Sequence, residues 1–225
     1  MGVIRTFLAL TGYSTVGAAG TWAFLTRGSK FVPVSANDSL LGSTWFARFN
    51  PDNNPPLFDV CVKKVPLSKI KPEYLENEGK LAEKFCAGVW GGWGYAYQRH
   101  YLEKKYRSNP KTAHQVWDTK DLQESNYPVG MEITDHFEVI AHTPESIIVR
   151  CGASPLDKSV RPSDGLFEMR AEVNKDEGVA EFQLKSCFYQ GLGKAEGKPM
   201  PPFIEFLHRQ YTKLWMETAV RNVLK

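Results

Sequence analysis

The sequence predicts an α+β domain in which a curved antiparallel sheet grips a long C-terminal helix, with a hydrophobic helix at the N-terminus. Three observations predict it. The hydrophobic period is helical over residues 72–107, switches to two between residues 130 and 189, and returns to helical over residues 203–225. The 225 residues are 42% hydrophobic and 24% charged, a globular composition that excludes disordered, collagen-like and polytopic membrane chains. A half-polar sheet must cover its apolar face, and the last helix is the available cover.

The N-terminus reads as a separate object, residues 1–35. Residues 6–26 carry no charge, and Arg5 lies on one side with Arg27 and Lys30 on the other. At ~1.5 Å per residue such a run matches the ~30 Å of a bilayer core. Threonines, serines and glycines dilute its apolar residues, and Trp22 and Tyr13 suit membrane–water interfaces. A single-pass anchor in the endoplasmic reticulum or mitochondria fits best, with a mitochondrial presequence or a cleaved secretory signal as the other readings. The basic flank after the run favours a cytoplasmic-facing domain. Residues 36–56, with the proline-rich 50–56, read as a linker, and the ligand-binding domain is expected over 57–225.

Within that domain, residues 58–65 form a short strand ended by Pro66. Pro72, with Glu73 and Glu76 behind it, opens a helical stretch with a break near Gly79, stopped by Pro110. Residues 130–142 alternate, with Met131, Ile133, Asp135, Phe137, Val139 and Ala141 on one face and His136 on the other. Residues 146–151 make the next strand. Residues 165–173 and 179–189 pair across the turn 175–178, with Phe167, Met169, Phe182 and Phe188 inward and Glu168, Arg170 and Lys185 outward. Pro201 and Pro202 lead into the terminal helix, where Phe203, Leu207, Tyr211, Leu214, Trp215, Thr218 and Val223 recur at helical spacing.

This element order, the Gly130-x-x-Ile133 pattern, the paired strands and the Met200-Pro-Pro-Phe203 lead-in resemble the START/Bet v 1-like (helix-grip, SRPBCC-type) superfamily over residues 57–225. The resemblance implies a cavity between terminal helix and sheet and leaves the chemistry open. The stretches FCAGVWGGWGYAYQRHYLEKKYR and SDGLFEMRAEV are similar to small fungal proteins of natural-product gene clusters. Some of those catalyse cyclisations, Diels–Alder reactions included, in cofactor-free hydrophobic pockets. That resemblance implies a class of protein and assigns no residue.

The search for chemistry returns mostly exclusions. A net charge of +3 is too balanced for a nucleic-acid partner. Cys61, Cys86, Cys151 and Cys187 are too scattered for zinc or a disulfide framework and read as reduced, packed thiols. Nucleotide, metalloprotease and serine-hydrolase signatures do not occur, so no cofactor and no metal are expected. Residues 85–98 hold four glycines with Trp90, Trp93, Tyr95 and Tyr97, and read either as an aromatic cavity wall or as close helix–sheet packing around Gly88 and Gly92. Asp135, placed by parity among apolar side chains, is a candidate acid–base group or a structural cap. His208 and Tyr211, one turn apart, could reach the cavity and meet a carboxylate, or sit at its edge. Phe137, Phe167, Phe182 and Trp215 are expected to line it.

The expected function is a cofactor-independent cyclase or isomerase, Diels–Alderase-type, acting on an apolar polyketide- or terpene-like intermediate of secondary metabolism. Catalytic roles fall to Asp135, His208 and Tyr211. A non-catalytic lipid or isoprenoid carrier at an organelle membrane is the alternative.

Overall fold

In a computed structural model of the chain, residues 20–225 are described. The N-terminal run expected as an anchor lies outside the described residues as far as residue 19. Residues 20–25 are helical, and the Trp22 indole donates to Gln210 at 3.1 Å. Among the described residues no helix is long and apolar enough to cross a membrane.

The fold is α+β. One open, curved sheet of seven antiparallel strands runs in the order β1-β2-β7-β6-β5-β4-β3. The strands are β1 (Lys30–Val32), β2 (Leu57–Pro66), β3 (Glu132–Ile133), β4 (Phe137–His142), β5 (Ser146–Cys151), β6 (Asp164–Asn174) and β7 (Val179–Tyr189). Between β2 and β3 stand α2 (Pro72–Glu76), α3 (Lys80–Trp90), α4 (Trp93–Tyr106) and α5 (Thr119–Glu124). The chain ends on α6 (Pro202–Val223). The α+β class, the antiparallel sheet and the long terminal helix follow the sequence expectation, and the architecture is compatible with a helix-grip fold.

The main core lies on the concave face, where Phe85, Trp90 and Tyr95 meet Phe137, Met169 and Phe182 from the strands and Trp215, Met216 and Ala219 from α6. Gly88 lets two helices approach: a Cβ there would stand 2.5 Å from the Ala219 carbonyl oxygen. The sequence reading sent that glycine toward the sheet; its partner is the terminal helix. Gly91 and Gly92 break the helical stretch a second time, between α3 and α4.

Residues 36–56, expected as a linker, are packed. They carry α1 (Thr44–Phe49), capped by Ser43, whose side chain accepts from the Phe46 amide at 3.1 Å. Leu40, Phe46 and Phe49 bury against Ile140, Leu166, Cys187 and Tyr189 on the convex face, a second small core. The charged residues read as outward, Glu168 and Lys185, point that way but are covered by this segment. Lys185 bridges Glu168 at 2.9 Å and Asp38 at 3.0 Å. Arg150 forks onto Asp164 through Nε at 3.0 Å and Nη2 at 2.5 Å, with its guanidinium 3.7 Å from the Phe49 ring centre. Asn54 then ties down the loop after β7, donating to the carbonyls of Gln190 and Gly193, both at 2.7 Å, and accepting from the Ala195 amide.

Candidate functional site

A cavity of about 260 Å³ lies between α6 and the concave face, just under the ~300–1,000 Å³ usual for small-molecule sites. Alternation of the strands decides its walls: Phe167 and Met169 of β6 and Leu184, Ser186 and Phe188 of β7 face inward at every second position. From α6 come His208, Tyr211, Thr212 and Trp215, which share one side because they are spaced by three and four residues. The rings interlock, with Trp215 5.0 Å from Tyr211 and 5.8 Å from Phe167, centre to centre.

One corner is polar. His208 Nε2 stands 3.2 Å from the Asp59 carboxylate, which is 2% exposed and makes no hydrogen bond through either oxygen. The Thr212 hydroxyl also lies 3.4 Å from Nε2, so this ring nitrogen faces Thr212 and Asp59 while Nδ1 makes no hydrogen bond among the described residues. Thr212 holds the helix here, its hydroxyl donating to the His208 carbonyl at 3.0 Å. The His208 ring lies 5.0 Å from that of Phe188, edge to face. Ser186 is the direct cross-strand neighbour of Asp59, is fully buried, and its hydroxyl has no partner. Nearby burial pushes the Cys61 thiol up to about 12, with the Asp59 charge adding to it. Burial likewise raises the Tyr211 phenol, against a smaller opposing effect of Trp215, so it stays protonated at neutral pH.

The sequence candidates divide in three. His208, Tyr211, Phe137, Phe167 and Trp215 line the cavity. Trp90, Tyr95 and Phe182 are fully buried in the core behind it, and Tyr95 bonds the Thr134 hydroxyl. Trp93 and Tyr97 are 54% and 87% exposed on the outer side of α4, so the aromatic residues of the segment are core and surface, while Gln98 at its end lines the cavity.

The expected face of Asp135 needs correction. Thr134 and Asp135 both have φ near +50°, which ends β3 and breaks the alternation before β4 starts. Asp135 is therefore absent from the cavity lining. Its carboxylate accepts from Ser154 at 2.5 Å and Gln115 at 3.2 Å, and its amide donates to Gln115 at 2.6 Å. The same kink turns His136 inward as a lining residue. Burial lowers its pKa, Arg161 adding to the effect and Asp135 opposing it.

Asp59 is the residue that sequence reasoning missed. Its signal was available: it shares the inward parity of Cys61 and Val65 on β2, the argument applied to Asp135.

An apolar cavity with one buried carboxylate–imidazole pair, enclosed by an antiparallel sheet and a terminal helix, is the candidate site of this α+β domain. Neither protein-family models nor curated protein sequences give a match to the chain. Among the described residues no cluster of His, Cys, Asp and Glu has metal-binding geometry.

Proposed function

We propose that the protein is a cyclase or isomerase acting on an apolar polyketide- or terpene-like intermediate of secondary metabolism, without a bound cofactor. The observation that carries this reading is the Asp59–His208 pair opening onto an apolar cavity. A carrier of apolar ligands has no use for a buried carboxyl group and an imidazole beside its ligand, and burying a carboxyl group without hydrogen bonds is costly. An acid–base step does use them: imidazole can take and return a proton while the carboxylate holds its orientation. The aromatic walls would fold a flexible substrate into a reactive shape, which alone can lower a barrier by ~7 kcal/mol or more. Tyr211, a protonated phenol, would donate to charge that develops on the substrate. Residues 6–26 would anchor the protein in the endoplasmic reticulum or mitochondrial membrane, where apolar intermediates gather, with the folded domain on the cytoplasmic side.

The test is a metabolite profile of the source organism with and without the gene, followed by incubation of the accumulated compound with the purified full-length protein. Accumulation of one compound and its conversion to an isomer of equal mass are expected. A profile unchanged except for membrane lipid distribution would leave the carrier standing instead.

A further inference from the structure

Buried hydroxyls without a partner are uncommon, because each forfeits the hydrogen bond it made in water. Ser186 is such a group: it is fully buried, lines the cavity, and has no partner for its hydroxyl. It lies in the same corner as the His208–Asp59 pair, since Asp59 is its cross-strand partner and Phe188, two residues on, packs against the His208 ring. The corner thus offers a hydroxyl proton and, at His208 Nδ1, an imidazole nitrogen with no hydrogen-bond partner among the described residues.

These two groups select a ligand chemistry. Asp59 already puts a negative charge behind the corner, which disfavours a carboxylate or phosphate there. A C–H next to a carbonyl is the kind an imidazole can deprotonate, provided the oxygen that receives the charge is held by a donor.

We infer that the cavity takes an uncharged, apolar ketone whose oxygen accepts from the Ser186 hydroxyl and whose α carbon gives its proton to His208. This rests on the function proposed above and names its substrate class. The α C–H bond breaks, its proton goes to Nδ1, and its electron pair moves through the C–C bond onto the carbonyl oxygen as an enolate. Where the ketone carries a β,γ double bond, the imidazolium then returns the proton at the γ carbon, and the double bond moves into conjugation with the carbonyl. Alternatively, the enolate carbon attacks a second carbonyl of the same molecule, closing a ring, and the imidazolium protonates the resulting alkoxide. Both routes balance without oxidant, reductant or co-substrate. Asp59 touches no substrate and acts as a positioning residue.

The experiment uses 2-tetralone, a small apolar ketone, and the full-length protein in D2O. Proton NMR follows loss of the α-hydrogen signals, and quenching of tryptophan fluorescence reports binding. Exchange about a hundredfold faster than in an equal concentration of free imidazole is expected, on the scale of general acid–base effects. Ser186→Ala and His208→Gln should each bring it down at least tenfold while quenching and melting temperature are kept. Asp59→Asn should lower the exchange rate at saturation with little change in half-saturation. A bound ketone that exchanges no faster than in imidazole, or no binding at all, overturns the inference. If the accumulated metabolite is still converted in that case, the proposed function stands and only the ketone assignment falls. If the variants exchange like the parent, the corner is not where the proton leaves.

Discussion

His208 sits where two constraints meet, a carboxylate that orients it and a phenyl ring that limits its tilt. Replacement by Gln should lower turnover of the natural substrate by about 10²–10⁴-fold with little change in binding, measured as kcat against KM. His136 carries a different kind of prediction. Its folded pKa lies below the ordinary 6.5, so between those two values the unfolded chain binds more protons than the folded one. The stability it contributes is complete above about pH 6.5 and is lost as pH falls through that window. In His136→Gln, the unfolding midpoint in urea should fall less between pH 7 and pH 5 than in the parent. Arg161 and Asp135, which act on this imidazole in opposite senses, are left in place. The cysteines are buried, and burial raises all four thiols, so a thiol reagent should be unreactive with the native chain and titrate all four after denaturation.

Among elements, the crossing of α3 and α6 depends on one missing side chain. Gly88→Ala would drive a methyl against backbone, where neither helix can yield by a rotamer change, and should cost about 1–3 kcal/mol in denaturant unfolding. On the convex face, Lys185→Met leaves Glu168 and Asp38 without their shared cation and should cost about 3–5 kcal/mol, whereas a double change with Glu168→Gln should recover part of it. The elements themselves were legible where a period ran long: the β6–β7 hairpin with its turn at 175–178, and α6. They were not legible at short irregular steps. Nothing in the letters Thr134-Asp135 announces two successive residues at positive φ, and that single step reassigns Asp135 and His136. The six-residue α1, just before the proline-rich stretch, was likewise below what periodicity resolves.

At the scale of the molecule, the sheet reads as two-sided: one face grips a helix and a cavity, the other lies under residues 38–50. The first side was visible in the sequence because its cover is a long amphipathic helix. The second was hidden because the burial of Glu168 and Lys185 is made affordable by partners far along the chain, and alternation alone reads those side chains as solvated. The outermost strands have a consequence of their own. An open sheet exposes a row of unpaired amides and carbonyls at each margin, and a long flat margin recruits a strand from another chain. Here the margins are β1, three residues beginning with a lysine, and β3, two residues flanked by a backbone kink and bridged on its outer side by Val116. Neither gives a neighbouring molecule enough ladder to start on, so at high concentration the domain should resist fibril growth, and removing the edge charge by Lys30→Val should weaken that resistance in a thioflavin assay.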